Sequence, residues 1–340
     1  MIAISDVSDG WSPRLRRAIA LEHAAAFVGF GGTLPELSRS SDWTQFDTQA
    51  VRALLTPVKQ RFGSGPFLQH AYRTFCFSLQ WLSMGMPTAS LTHGATTRFG
   101  LTDLRGLRFS EIGMPFPSLF LQMPDKFSGL SLTGKQSKPV PIRSIALSSH
   151  SLFDTLGQRR EELSIHAVSW DGTSLFSDQP LEADTSLESL CSANWPTTSG
   201  DGMIQLEQCD EEALSSCIRV ALNACVYMVS CPEKVERLRC TQFHKETALL
   251  GVPCPKHWIV GRGITVSSNE AAALSALSSP GRPAWRAHSR FIVRGHWRNQ
   301  ACGLRSETRK RIWIQPHWKG PADAKTAIAR LYTIEVDTIH

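Results

Sequence analysis

The sequence predicts an α+β fold with a helical N-terminal part, a mixed α/β middle and a basic, β-hairpin-like C-terminal segment. Stretches with helical spacing dominate residues 1–100. Short aliphatic and aromatic runs between prolines and glycines follow them, and a basic segment with strand-like patterns ends the chain. We therefore divide the chain into residues 1–100, 101–280 and 281–340, with one continuous domain as the alternative.

Three helices are predicted in the first hundred residues. The first follows Ser12-Pro13, an N-cap residue with a first-turn proline, and the second begins near Asp47. The third covers residues 66–84, and Gly85 ends it, because glycine adopts the left-handed conformation that often closes a helix.

Three short strands are predicted in the middle of the chain, over residues 118–123, 142–147 and 163–170. Prolines on both sides of the first predict that it is short or lies at a sheet edge. Residues 171–203 are rich in Ser, Thr, Asp and Gly, which predicts a long loop or a mobile insertion.

The clearest helical pattern begins at Asp210 and ends at Cys231-Pro232. Acidic residues occupy its first turn, where the helix dipole favours negative charge. Its apolar positions recur at helical spacing and are Leu214, Cys217, Ile218, Ala221, Cys225 and Met228.

The C-terminal segment predicts strands over residues 290–298, 311–318 and 331–336, with an irregular hairpin between the first two. The chain carries a net charge of +6, but the window from Arg282 to Gly320 holds ten Lys or Arg and one acid, which is +9. The rest of the chain therefore carries −3. Charge clustered in this way indicates a polyanionic partner.

Other features of the composition predict a cytoplasmic protein. The sequence contains no uninterrupted apolar run near the ~20 residues of a membrane-spanning helix and no basic leader, so we expect no membrane partner. Nine cysteines lie mostly beside apolar residues without the spacing of a disulfide framework, which predicts buried, reduced thiols. The sequence gives no indication of oligomeric state.

The basic C-terminal segment supplies the candidate binding residues. Arginines bind phosphates through forked hydrogen bonds, and tryptophans offer flat faces on which unpaired bases or a peptide can stack. The alternative is a hairpin whose tryptophans are core and whose arginines are a solvated face. The candidate residues are Arg290, Arg294, His296, Trp297, Arg298, Arg309, Lys310, Arg311, Trp313, His317, Trp318 and Lys319.

This segment resembles the C-terminal region of the second family of type V-A anti-CRISPR proteins, most strongly over residues 286–320. The matching residues are Arg294, Gly295, His296, Trp297, Arg311, Trp313 and Pro316. A weaker similarity covers residues 259–264, where this chain lacks the glutamate of a family Gly-Glu-Arg element, and a third covers residues 104–123.

The resemblance implies an inhibitor that does not occupy the active site of the CRISPR nuclease. It implies recognition of the nascent N-terminal peptide of a type V CRISPR effector, with loss of the corresponding message and of the effector. We expect RNA or the ribosome to be a further partner. Members of the family are carried on mobile elements such as phages and plasmids.

Zinc is a rival hypothesis. Cys240 and His244, followed by Cys254 and His257, supply four thiolate or imidazole ligands at short spacings. Nine residues separate the two pairs, a shorter linker than in common zinc fingers. We therefore expect no cofactor, with zinc as the alternative.

Enzymatic activity is not expected. The sequence lacks a Gly-x-Ser-x-Gly nucleophile motif, and its carboxylates are dispersed. The alternatives to an anti-CRISPR protein are a plasmid- or phage-borne nucleic-acid-binding regulator and a ribonuclease. In the ribonuclease, His296 would transfer protons while Arg294 and Arg298 bind phosphate.

Overall fold

The structure, a computed structural model, describes most of the chain from residue 77 to residue 319. The described positions are residues 77–125, 127, 129–133, 138–153, 159–192, 197–199, 208–239, 256–266, 291–303 and 306–319, with the isolated positions 20, 21, 24, 56 and 60.

Fourteen strands and four α-helices have both of their ends within these ranges. The strands are β1 (Thr88–Leu91), β2 (Thr102–Asp103), β3 (Ser118–Gln122), β4 (Ser131–Thr133), β5 (Pro139–Phe153), β6 (Arg159–Ser169), β7 (Ser174–Leu181), β8 (Thr197–Ser199), β9 (Val235–Arg239), β10 (Lys256–Val260), β11 (Phe291–Val293), β12 (Gly295–Cys302), β13 (Thr308–Ile314) and β14 (His317–Lys319). The helices are α1 (His93–Gly100), α2 (Phe109–Ile112), α3 (Leu187–Ser192) and α4 (Gln208–Ser230), and a 3-10 helix covers Pro232–Lys234.

A nine-stranded mixed sheet forms the centre of the fold, in the order β8-β7-β6-β5-β3-β1-β10-β9, with β4 paired to β5 outside this path. Strand β1 is parallel to both of its neighbours, β3 and β10. The other pairings in this sheet are antiparallel. Helices and strands thus combine as an α+β fold, which confirms the predicted class.

Helix α4 covers one face of this sheet. Alternate residues of β3, β5 and β6, such as Leu121, Ile145 and Ile165, are buried in the same apolar cluster as the helix residues Ile218 and Ala221. Part of α4, Glu211–Ser230, is long and apolar enough by composition to cross a membrane, but 67% of that stretch is buried inside the protein. Its hydropathy is therefore accounted for by the core.

A helical segment at residues 77–83 lies at the other face, where Trp81 packs 5.8 Å from Phe120. Gly85, at φ 81°, closes the segment, as predicted. The backbone N–H of Met86 donates to the carbonyl of Trp81 at 2.8 Å, and that of Gly85 donates to Leu82 at 2.9 Å, the paired bonds of a Schellman motif.

The three strands predicted in the middle of the chain are confirmed in existence as β3, β5 and β6, and their predicted extent is partly wrong. The proline-flanked strand β3 is short, but it lies inside the sheet between β1 and β5 rather than at an edge. Residues 171–203 are not one long loop, since β7, α3 and β8 lie within them. The first hundred residues are not purely helical, because they contain β1, which lies inside the sheet between β3 and β10.

Other sequence predictions fall where the structure describes little. Ala20, Leu21 and Ala24 are helical, within the first predicted helix, and Thr56 and Gln60 are helical within the second. The predicted strand over residues 331–336 lies outside the described residues.

Candidate functional site

The basic C-terminal segment folds as the predicted hairpin. Strands β12 and β13 pair antiparallel from His296↔Ile314 to Cys302↔Thr308. The turn is irregular, with Gly303 at φ 82° and Ser306 at φ 61°. The Thr308 hydroxyl donates to the Cys302 carbonyl at 2.8 Å and closes the hairpin. We call these two strands with their turn the C-terminal hairpin.

The hairpin pairs with the rest of the protein at a glycine. Strand β12 pairs in parallel with β2, and this pairing places Gly295 beside Thr102. A Cβ atom at position 295 would lie 2.7 Å from the Thr102 Oγ1 and 2.8 Å from the Pro316 Cδ. No side chain fits at such distances, so the glycine of the Arg-Gly-His-Trp motif is needed for close packing.

Trp297 belongs to the core of the protein. Only 8% of its surface is exposed, and its Nε1 donates to the Asn223 Oδ1 at 2.8 Å. The ring of Trp313 stacks beside it, with centroids 6.2 Å apart. We expected Trp297 to offer a face for bases or a peptide, and the structure contradicts this because the indole is enclosed between the hairpin and α4.

Asn223 is the polar centre beneath the hairpin. The residue is fully buried in the middle of α4. Its Nδ2 donates to the carbonyls of Phe99 at 3.0 Å, Thr102 at 3.2 Å and Arg219 at 3.0 Å, while its Oδ1 accepts from Trp297. One side chain therefore joins α1, β2, α4 and β12, and sequence reasoning missed this role.

Trp313 also packs inward, although it is only half-buried. Its Nε1 donates to the Thr102 Oγ1 at 3.1 Å. Its ring lies 5.2 Å from Phe99 and 5.5 Å from Tyr227, edge to face with the latter. These contacts leave little of the indole for a partner. The side chain of the third predicted aromatic residue, Trp318, lies outside the described set, as does all of Arg290.

Seven of the predicted residues do lie at the surface. On β12 the side chains alternate, so that His296 and Arg298 are exposed while Gly295 and Trp297 are buried. The remaining exposed members follow on the neighbouring strands and turns, and the full set is Arg294, His296, Arg298, Arg309, Lys310, His317 and Lys319. We call these seven residues the basic face.

Two ion pairs join cations of the hairpin to carboxylates among the residues that the structure describes. The Lys310 Nζ lies 3.7 Å from the Glu233 Oε1, with both side chains more than half exposed, so water screens the pair. Arg311 differs, since 17% of its side chain is exposed and its Nη2 lies 3.9 Å from the Glu111 Oε2. We predicted Arg311 as a binding residue, and its enclosure leaves its guanidinium mostly inaccessible.

The second segment of family resemblance also has a packing role. Gly261, at φ 91°, follows β10, and a Cβ atom there would lie 2.2 Å from the Ala95 Cβ of α1. The Thr92 hydroxyl, which caps α1, donates to the Gly261 carbonyl at 3.0 Å. Glycine thus lets the loop after β10 contact the start of α1.

Of the four candidate zinc ligands, the structure describes only His257. The His257 imidazole Nε2 lies 2.8 Å from the Ser90 Oγ, which links β10 to β1. The other three residues of the set, Cys240, His244 and Cys254, lie outside the described residues. Within the ranges given above, the structure shows no cluster of three or more potential metal ligands.

The thiols that the structure describes are free. Cys191, Cys217, Cys225 and Cys231 are buried, and Cys302 is half-exposed at the end of β12. Burial raises the pKa of Cys191 and of Cys225 from 9.0 to about 12, and raises that of Cys217 as well. These thiols therefore stay protonated and unreactive at neutral pH.

Comparison with known proteins gives one family. A family model described as AcrVA2-like, "Anti-CRISPR type V subtype A2 family", matches residues 94–320. One solved structure, described as "Crystal structure of AcrVA2", is similar with a TM-score of 0.45 and 11% identity over 79% of this chain and 83% of that chain. The comparison with curated proteins gives no match.

Proposed function

The chain belongs to the anti-CRISPR type V subtype A2 family, and on that premise we propose that it lowers the level of a type V CRISPR effector. In this proposal it recognises the nascent N-terminal peptide of the effector in the bacterial cytoplasm and promotes loss of the effector's mRNA. The observation that carries the proposal is the family match itself, which includes every strand of the sheet except β1, together with α4 and the hairpin.

The basic face supports a role beside the ribosome. Seven cationic or imidazole side chains lie exposed on the hairpin and the residues that flank it. Arginines bind RNA phosphates through paired hydrogen bonds, and lysines add unspecific attraction. Since the inner tryptophans are enclosed, we propose that contact with RNA is made by charge rather than by stacking on Trp297 or Trp313.

Binding rather than catalysis fits the surroundings of His296. Its side chain is exposed on β12, and among the residues that the structure describes no hydrogen bond orients the imidazole. A general base in a nuclease needs a fixed position relative to the phosphate. We therefore expect naked RNA to remain intact when it is incubated with the protein, and cleavage that His296→Ala abolishes would favour the ribonuclease.

Co-expression with a type V-A effector tests the proposed function. Effector protein and effector mRNA are measured in parallel, with and without this protein. Both should fall, and recoding the first codons of the effector to encode a different peptide should restore them. A synonymous recoding, which keeps the peptide, is the matched control and should leave the loss intact. Unchanged effector levels would refute the proposal.

A nucleic-acid-binding regulator is the second candidate, and the exposed basic face is the observation that favours it. Such a regulator would bind promoter or operator DNA without a translated target. Immunoprecipitation from cells, followed by sequencing of bound DNA and RNA, separates the two functions. Enrichment of one DNA operator with no effect of effector codons would favour the regulator.

A further inference from the structure

Trp170 is an exposed indole in the turn between β6 and β7. It is 41% exposed, and among the large apolar residues that the structure describes only Val229 is comparably exposed. We expected stacking at the tryptophans of the hairpin, but Trp297 is buried and Trp170 is exposed instead. A single exposed apolar side chain is common on protein surfaces, so the case for a contact surface depends on how this indole is held and on what surrounds it.

The turn that carries Trp170 is held by several hydrogen bonds. The Asp171 Oδ1 accepts from the Ser169 hydroxyl at 2.6 Å and from the Thr173 N–H at 3.0 Å. The backbone N–H of Trp170 donates to the carbonyl of Pro141 at 3.1 Å. Gly172, at φ 84°, completes the turn. The indole therefore projects from a fixed backbone.

A β-bulge places a guanidinium over this indole. The register between β5 and β6 shifts between Ile142 and Ser144, so that Arg143 is the extra residue. The Arg143 Cζ lies 4.5 Å from the centre of the Trp170 ring. Bulges redirect side chains and are common beside functional sites. The bulge and the turn together build a preformed tryptophan–arginine pair.

The surroundings of the pair favour a polypeptide over a nucleic acid. Burial lowers the pKa of Arg143, and the charge of the nearby Asp125 opposes that shift. Asp125 is exposed, and its carboxylate repels phosphates at the position where a polyanion would approach. Arg143 also covers one face of the indole that a base would need. Tryptophan and arginine are, by contrast, the residues most enriched at the centres of protein interfaces.

We propose that Trp170 and Arg143 form the centre of a docking site for a polypeptide segment. This inference rests on the proposed function, in which that segment is the nascent N-terminal peptide of the type V effector. The docking site is separate in residues from the basic face, since Trp170 and Arg143 belong to β5, β6 and the following turn. The docking site would then bind the peptide, while the basic face contacts RNA.

Fluorescence anisotropy with a labelled synthetic peptide of the effector's N-terminal sequence tests the site. Trp170→Ala should weaken binding by about thirtyfold, and Arg143→Gln by about tenfold or more, because residues at interface centres carry most of the affinity. Val229→Ala, which removes an equally exposed apolar side chain, is the matched control and should change binding less than about twofold. Thermal unfolding of each variant checks that the fold is retained.

The outcomes separate the site from the function. Wild-type protein that binds the peptide, with Trp170→Ala as tight as wild type, would overturn the site and leave the proposed function in place. If the wild-type protein does not bind the peptide, peptide recognition is refuted both as a step of the proposed function and as the role of this docking site. A single-stranded RNA probe that binds through Trp170, with no peptide binding, would overturn the inference in favour of a nucleic-acid site.

Discussion

The two faces of the C-terminal hairpin differ in what they contact. The inner face presents Trp297 and Trp313, which hydrogen-bond to Asn223 and Thr102 and pack on α1 and α4. The outer face presents His296, Arg298 and further basic side chains to solvent. Residues of the two faces alternate within one strand, so the Arg-Gly-His-Trp motif holds the hairpin in place and also carries part of its charge.

This difference teaches that one short sequence motif can have two separable roles. Gly295 and Trp297 determine where the hairpin lies, and Arg294 and His296 determine what its surface offers to a partner. Substitutions at adjacent positions should therefore give different phenotypes, one in stability and the other in binding.

The largest effect should follow Trp297→Ala. Removing a buried indole costs about 3–5 kcal/mol, and the Oδ1 of Asn223 would lose the donor given by Trp297. Urea unfolding followed by circular dichroism measures the change. His296→Ala, one position earlier on the outer face, is the control and should change the free energy of unfolding by less than about 0.5 kcal/mol. Equal losses in both variants would contradict the two-face description.

The next effect concerns Gly295→Ala. The added methyl group would meet Thr102 and Pro316 below 3 Å, and overpacking of this kind costs about 1–3 kcal/mol. Gly100→Ala is the matched control, because a Cβ there would lie 3.6 Å from the Val220 Cγ2, an ordinary contact. Thermal unfolding should show a lower midpoint temperature for Gly295→Ala and an unchanged one for Gly100→Ala. An unchanged midpoint for Gly295→Ala would show that the hairpin moves freely away from β2.

A third test examines the helix on which the inner face packs. Burial raises the pKa of Cys225 from 9.0 to about 12, so the folded protein keeps a neutral thiol where the unfolded chain forms a thiolate. The stabilising effect is complete below pH 9 and is lost as the pH rises toward 12, at up to about 1.4 kcal/mol per pH unit.

Urea midpoints measured between pH 7 and pH 11 check this, since Cys217 adds to the same slope. Cys225→Ala should reduce the slope relative to wild type, and an identical slope would show that the thiol is accessible to water. Outer-face variants such as His296→Ala should keep the wild-type slope above pH 9.

The triple variant Arg298→Ala, Arg309→Ala, Lys310→Ala should show the smallest effect on stability. It should show the largest effect on binding. All three side chains are exposed, so the free energy of unfolding should change by less than about 0.5 kcal/mol each. Co-sedimentation with ribosomes at rising salt should become weaker, and the slope of log affinity against log salt should fall by about three.

Arg108→Ala, an exposed arginine before α2, is the control for loss of charge elsewhere on the protein. It should leave the salt dependence of co-sedimentation close to that of wild type. A triple variant that co-sediments like wild type would remove the basic face from the proposed contact with RNA.

Strong periodicity made part of the fold predictable. Helix α4 was predicted from apolar residues at helical spacing, and it was found over Gln208–Ser230. Strand β7 was missed because Ser174, Asp178 and Pro180 give it the composition of a loop, although it pairs with β6 along its length. The second half of β5 is rich in serine and carries His150, so it lacks the apolar alternation that marks a strand.

The candidate site was predictable in charge but not in orientation. The exposed cations followed from composition, while the burial of Trp297 depends on β2 and α4, which are distant in sequence. One signal was present, since alternation of His296, Trp297 and Arg298 along a strand places the indole on the face opposite the two polar side chains. Asn223 within an apolar helix was a second signal, because a buried amide requires partners.

The place of β1 between β3 and β10 has a consequence for vectorial synthesis. Ser90 and His257 contact each other although 167 positions separate them, so the parallel strands β1 and β10 cannot pair until most of the chain has emerged from the ribosome. Before that, one edge of β1 has only water or a chaperone as a partner. Strand pairing across such a long sequence separation slows folding. A chain that stalls or is truncated before β10 should therefore be bound by chaperones or degraded rather than accumulate.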